Sequence, residues 1–284
     1  MKIATLLPYK EDYSPNLSGA VSIHVSNLYR YSKFKNNITI WGNTSSTKYL
    51  SKNYKNISIN KTILSSSNKK YLSKFIDLQK NNAPDIIEIH NRPNYVKEIT
   101  DKLQSKIILY FHNSPLDISG SKSINERKEL LNKCEYIFFN SNWTKKQFFK
   151  DISEDLFISK FGICFQSTKR INVNIKAKKN IITFVGKLNT AKGYDIFGKS
   201  IIKILDDFPN WKSVVVGDEP REKLSFKHKN LKTHSFKDNN FVLDLLKKSS
   251  ISVACSRWNE PFGRTSLEAC SVGCATIITN KGGL

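Results

Sequence analysis

Two carboxylates and the loop between them are the residues of this chain best placed to do chemistry. Glu260 and Glu268 stand eight positions apart in RWNEPFGRTSLEACSVGCATIITNKGGL, which runs from Arg257 to Leu284. An apolar run, Ile251 to Ala254, reads as the strand that leads in. Pro261 and Gly263 mark a loop, and the spacing predicts a helix from about Thr265 to Val272, then a β-branched strand from Ala275 to Thr279. In such a unit the loop and the first helical turn carry free backbone N–H groups and the positive end of the helix dipole. An anionic ligand belongs there. Glu260 in the loop and Glu268 in the helix then stand roughly 10 Å apart. Carboxylates beside an anion site pair with hydroxyl donors, so the layout suits a ligand that is anionic in its middle and bears hydroxyls at both ends, as a nucleotide sugar does. The plain alternative is that both glutamates simply favour the N-terminal half of a helix, a matter of a few tenths of a kcal/mol.

The same strand, loop and helix pattern recurs twice. Ile181 to Val185 reads as a strand followed by GKLNTAKGYD and a helix carrying Phe197, Ile201, Ile204, Leu205 and Phe208 in register. Lys187 and Lys192 flank that loop, where two ammonium groups can clamp a pyrophosphate. At the start of the chain, Lys2 to Leu7 reads as a buried strand, and Ser18-Gly19 opens a helix with Val21, Val25 and Leu28 on one face. The dinucleotide fingerprint G-x-G-x-x-G does not follow that strand. Further strands are expected at Ile38 to Trp41, Ile57 to Ile59, Asp85 to His90, Lys106 to Phe111, Tyr136 to Phe139, Ser213 to Val216 and Leu231 to His234. Helices are expected at Tyr71 to Gln79, Lys122 to Asn132, Trp143 to Phe149, capped by Asn140-Ser141-Asn142, and Asn240 to Lys248. Ligands of such sheets sit beyond the carboxyl ends of the strands. That puts Asn91 and Arg92, just past one strand, and His112, at the end of another, among the site candidates, while His24 reads as a packed histidine. The polar, unpatterned stretch from Cys164 to Asn180 marks the domain boundary.

EPFGRTSLE resembles the motif of the retaining glycosyltransferases of family 4, the glycosyl transferases group 1, which have the GT-B fold of two Rossmann-like domains. The resemblance implies that Glu260 contacts a donor sugar, that the amides around Phe262, Gly263, Arg264 and Thr265 contact sugar and phosphate, and that Glu268 binds the ribose. SGAVSIHVSNL is similar to the family's GG-A-x-x-x-H-V-x-x-L, with Ser18 for the first Gly, and implies that Gly19 lets the backbone approach the donor. PDIIEIHNRPNYV resembles the strand that ends near the acceptor cleft, which makes Asn91 and Arg92 acceptor-side residues. Family members often carry a His where His112 stands, near the reacting sugar, with its backbone carbonyl as a transition-state contact. His112 and Glu260 are therefore the catalytic candidates. GKLNTAKG resembles G-R-L-x-x-x-K-G, with Lys187 in place of Arg, which keeps the charge and loses the bidentate fork. Asp218 and Glu219 intrude where the family has V-G-x-G-P.

On this reading the chain is α/β: an acceptor-side Rossmann-like domain over 1–165, a linker over 166–180, and a nucleotide-sugar-binding domain over 181–284. Family members continue past GGL, so the second domain is expected to be incomplete. The expected reaction moves a sugar from a UDP- or GDP-sugar to a glycan or lipid-linked acceptor with retention of configuration. No carboxylate pair stands out at the roughly 5 Å of a retaining glycosidase. A non-catalytic sugar-nucleotide-binding module and a nucleotide-sugar epimerase of the same fold are the alternatives.

Composition limits the partners. The 284 residues suffice for two domains, and no apolar run approaches the roughly 20 residues of a membrane span. A cytoplasmic protein is expected. The formal net charge of +22 favours anionic partners, with a peripheral anionic membrane surface among them. Only 7 of the 46 basic residues are Arg, and no nucleic-acid signature is present, which argues against nucleic acid. The five cysteines lack metal or disulfide spacing; Cys270 and Cys274, one helical turn apart, read as packed thiols. With no D-x-D pair after a strand, no metal and no cofactor are expected. Lys187, Lys192, Arg264 and helix amides would neutralise the leaving diphosphate instead.

Overall fold

The structure, a computed structural model, describes residues 1–59, 66–164 and 172–284. The chain divides into two compact units, Met1–Gln166 and Ser167–Leu284. The expected linker over 166–180 lies partly outside the described residues. Its later part is integral to the second unit. Lys178 Nζ donates to the carbonyls of Leu246, Lys247 and Ser249 at 3.1, 3.3 and 2.7 Å, and Val173 packs on that unit's core.

In the first unit, β1 (Ile3–Leu6), α1 (Ala20–Tyr31), β2 (Ile38–Gly42), β3 (Tyr54–Asn56), α2 (Ser67–Gln79), β4 (Ile86–His90), α3 (Asn94–Thr100), β5 (Lys106–Phe111), α4 (Ile124–Lys133), β6 (Tyr136–Phe139), α5 (Asn142–Phe148) and β7 (Phe161–Ile163) follow in order. The seven strands form one parallel sheet, β3-β2-β1-β4-β5-β6-β7, with Ile3 opposite both Ile38 and Ile86. A parallel sheet is covered on both faces, so its strands read as nearly continuous apolar runs. Alternate residues of β1 show this: Ala4 and Leu6 join the core under α2, α3 and α4, and Ile3 joins Val21 and Val25 of α1. Ser123 opens α4 with a capping box closed by Glu126, and Ser141 caps α5 by accepting from the Thr144 N–H at 3.1 Å. The third strand lies at Tyr54–Asn56, ahead of the expected Ile57–Ile59. Ile57 is instead a buried member of the core.

The second unit runs β8 (Lys179–Val185), α6 (Tyr194–Asp207), β9 (Lys212–Val216), β10 (Leu231–His234), α7 (Asn239–Lys248), β11 (Ser249–Ala254), α8 (Arg264–Ser271) and β12 (Ala275–Ile278). Its sheet is also parallel, ordered β10-β9-β8-β11-β12. β8 and β11 are neighbours, so the loops that follow them emerge side by side at the carboxyl edge. One face packs Phe197, Ile201 and Leu205 of α6 on Ile182, Phe184 and Val215, and the other packs Val242, Leu246, Ala269 and Val272 on Val216. Cys274 is buried, as expected, but Cys270 is exposed, because it points away from the face of α8 that carries Ala269.

Candidate functional site

The two loops of the second unit are tied to each other by backbone. Gly193, the residue before α6, has φ 73°, and a Cβ there would lie 1.9 Å from the Cys255 carbonyl oxygen. Only glycine fits that approach in that conformation. Arg257 and Trp258 both donate their N–H groups to the Ala191 carbonyl, at 2.9 and 3.0 Å, and the Arg257 guanidinium is bidentate on Asp195. Lys192 is thereby brought to Glu260. Its ammonium pairs with Glu260 Oε1 and lies 4.8 Å from the centre of the Trp258 ring.

A second brace comes from downstream. The Gly283 N–H donates to the Glu260 carbonyl at 2.6 Å, and Gly282 forms an isolated bridge with Glu260. Gly263, at φ 85°, then turns the chain into α8. The first turn of α8 contains no acidic residue. Lys192, Glu260, Gly263, Arg264, Thr265 and Ser266 line one pocket with the end of β8. The Ser266 hydroxyl is buried there without a hydrogen-bond partner among the described residues. A buried hydroxyl with no partner costs about 1–3 kcal/mol unless a ligand meets it. Nothing in the sequence set Ser266 apart; one serine among many gave no signal.

Glu268 lies one turn further in and is 5% exposed. Its Oε1 accepts from Arg264 Nε and from Asn239 Nδ2, both at 3.0 Å. Arg264 therefore connects Glu268 with the pocket that Glu260 lines. Phe262 is half-buried beside them. Lys187 is exposed and outside the lining, and its charge acts on Glu219. The two lysines expected to act as one clamp are thus divided, with Lys192 in the pocket lining and Lys187 outside it. Arg221, bidentate on Glu219 at 2.6 and 2.8 Å, holds that carboxyl down at about 2.

The first unit treats its helix terminus differently. Gly19 precedes α1 with an ordinary φ of −82°, so its lack of a side chain serves space, not backbone freedom. A Cβ would fall 2.7 Å from Glu11 Oε1. Glu11 accepts the Ser22 N–H at 3.0 Å and so satisfies the α1 terminus itself. Burial pushes the Glu11 carboxyl up, against the opposing pull of Ser22 and of Arg92.

At the ends of β4 and β5, Asn91 takes φ 57° and acts as a bracket. It donates its N–H to the Tyr110 carbonyl at 2.7 Å, and its Oδ1 accepts from the N–H groups of His112 and Asn113, both at 3.2 Å. Arg92 Nη1 returns to the Asn91 carbonyl at 2.8 Å. His112 is held from every side. Asn140 Nδ2 donates to its carbonyl at 2.9 Å, and its Nε2 lies 3.0 Å from His90 Nδ1. The His24 ring stands edge-on at 5.1 Å, with its own Nε2 3.3 Å from Cys164 Sγ. His24 is packed, as the sequence indicated, but its packing partners are His112 and Cys164. Burial, and then the neighbouring histidines, keep His90 and His112 well below the usual imidazole range. Rings held neutral this way are weak bases, which leaves the fixed His112 carbonyl and the shape of the cluster as its chemical assets. Among the described residues, no group of three or more His, Cys, Asp or Glu side chains is arranged to hold a metal ion, and no helix is long and apolar enough to cross a membrane.

Two parallel-sheet Rossmann-like units with loops gathered at the carboxyl edges define the GT-B architecture, and comparison with known proteins agrees. Residues 165–284 match the family model described as Glycosyl transferases group 1. The chain is similar to YtcC of Bacillus subtilis (strain 168), itself a candidate glycosyltransferase, at 25% identity over 234 residues, covering 70% of this chain and 56% of YtcC. It therefore spans less than two thirds of that relative. Among solved structures, Anabaena Alr3699/HepE in complex with UDP and glucose aligns over 100% of this chain and 82% of its own, with TM-score 0.69 and 14% identity. Sucrose-phosphate synthase from Thermosynechococcus elongatus aligns over the same shares, with TM-score 0.70 and 13% identity.

Proposed function

We propose that this protein is a retaining, metal-independent glycosyltransferase that moves a sugar from a nucleoside-diphosphate sugar to a glycan or lipid-linked acceptor. The observation that carries the donor side is the first turn of α8. A buried hydroxyl without a partner among the described residues, a turn free of acidic side chains, and Arg264 and Lys192 beside it form a set suited to a diphosphate. Ser266 donates to a phosphate oxygen, and Arg264 and Lys192 balance the charge that develops as the glycosidic bond breaks. Those cations supply the neutralisation that a divalent ion supplies elsewhere. Glu260, shared between Lys192 and the pocket, accepts sugar hydroxyls, and Glu268, oriented by Arg264 and Asn239, accepts those of the ribose. The complexed states of HepE support a uridine nucleotide as the first donor to try. Asn91 and Arg92 form the first unit's acceptor-side rim, and His112, through its backbone carbonyl, is the catalytic candidate beside them.

A thermal-shift panel of UDP- and GDP-sugars, with and without EDTA, tests this reading. At ligand near 100 times its Kd, one nucleotide class should add about 2.7 kcal/mol of stability. The shift should survive EDTA and disappear in Glu268→Gln. Anomeric analysis of the product by NMR then checks retention. If no nucleotide sugar shifts a cooperatively melting protein, the donor assignment fails.

A further inference from the structure

From Tyr13 to Ile76 the chain carries ten lysines and arginines and no aspartate or glutamate. This stretch supplies α1, β2, β3 and α2, so one edge of the first unit's sheet is positive without internal compensation. Its most concentrated part is RYSKFK, residues 30–35, where α1 ends and a 3-10 turn (Lys35–Asn37) leads into β2. Arg30, Lys33 and Lys35 are exposed, and none of them forms an ion pair among the described residues. Between them stand two aromatic rings turned to solvent: Tyr31 is 70% and Phe34 53% exposed. The backbone beneath is fixed. Asn53 Nδ2 donates to the Lys35 and Ile38 carbonyls at 3.1 and 3.0 Å, and Asn37 Nδ2 donates to the Met1 carbonyl at 2.8 Å. Lys52, also exposed, adjoins that tie.

Solvated lysines alone need no explanation in a chain of this charge. Alternation with exposed rings does. A ring and a cation adjacent on one rigid turn match the boundary of a bilayer, where aromatic side chains rest at headgroup depth and Lys or Arg meet lipid phosphates. Single-stranded nucleic acid offers the same charge but favours Arg and bases stacked along a groove, and only one of the ten cations here is Arg. We propose that the Arg30–Lys35 turn docks the protein on an anionic phospholipid surface, with Tyr31 and Phe34 inserted among the headgroups. This reading is independent of the reaction the protein catalyses.

Flotation with vesicles of phosphatidylglycerol and phosphatidylcholine in equal parts tests it. The protein should float with these vesicles at low salt, be released by high salt, and ignore phosphatidylcholine alone. At about 1 kcal/mol per cation near the surface, Arg30→Ser with Lys33→Ser and Lys35→Ser should lower partitioning about a hundredfold. Tyr31→Ser with Phe34→Ser should lower it about tenfold. These side chains are exposed, so both variants should melt like the parent. As a charge-matched control, Lys223→Ser with Lys227→Ser and Lys229→Ser in the second unit should cost less than about threefold. Equal losses in the control, unchanged partitioning in the ring variant, or capture by a single-stranded oligonucleotide without vesicle binding would each overturn the proposal.

Discussion

The helix termini of α1 and α8 begin from the same plan, a parallel strand, a loop and a glycine, and reach different ends. At α1 the chain's own Glu11 accepts from the terminus, and Gly19 gives that carboxylate its space. At α8 no acidic residue enters the first turn, and a buried serine hydroxyl lacks a partner among the described residues. The backbone pattern creates an anion-facing terminus in both units, and side chains decide whether it is spent on the fold or kept for a ligand. The glycines of the two units differ as well: Gly193, which precedes α6, has a left-handed φ and touches backbone, whereas Gly19 has an ordinary φ and touches a side chain.

That contrast predicts its largest effect at Gly193. Gly193→Ala adds left-handed strain and drives a methyl into the Cys255 carbonyl, for a loss of about 3 kcal/mol in denaturant unfolding. Gly19→Ala meets only a carboxylate that can swing aside and should cost about 1 kcal/mol or less. Equal losses would break the comparison.

The next effect belongs to the first unit's histidines. His90 and His112 stay neutral in the fold but protonate in the unfolded chain near a pH of about 6.5. Below that pH the unfolded state binds more protons, so stability falls as pH falls, by about 1.4 kcal/mol per pH unit for each ring. Denaturant titrations at about pH 6.5 and about pH 5.5 should reveal it, and His90→Gln should halve the slope. A slope unchanged in that variant would remove the buried rings as its source.

The smallest effect separates the two termini directly. Ser266→Ala removes the unpaired hydroxyl and should raise the stability of the free protein by about 1 kcal/mol while weakening nucleotide-sugar binding about fivefold. Glu11→Gln retains an acceptor for Ser22 and should leave that binding unchanged, as isothermal titration can measure. Sensitivity to Glu11→Gln would place the donor at α1.

Much of this architecture was legible in the sequence because parallel strands buried on two faces read as apolar runs. Lys106 to Phe111 and Tyr136 to Phe139 fall on β5 and β6 without adjustment. Short elements were not legible. α3 has only seven residues, too few for a helical period, and β7 is a three-residue edge strand containing Gly162. Within the site, the Lys192, Glu260 and Arg264 grouping followed from loops after neighbouring strands. Asn239 on Glu268, Glu11 against Gly19, and Cys164 against His24 are contacts over 29, 8 and 140 positions. They depend on packing and leave no local pattern. Lys187 and Lys192 show the converse: proximity in sequence implied one clamp, and the fold placed only Lys192 in the pocket lining.

The brace on Glu260 has a kinetic meaning as well. Its carbonyl is fastened by the Gly283 N–H, and Gly282 bridges the same residue. An amide held in a hydrogen bond exchanges only when the segment that holds it opens. Each opening of the Gly282–Gly283 segment therefore releases the loop that presents Glu260. The rate at which the Gly283 amide exchanges with solvent deuterium reports how often that glutamate is set free.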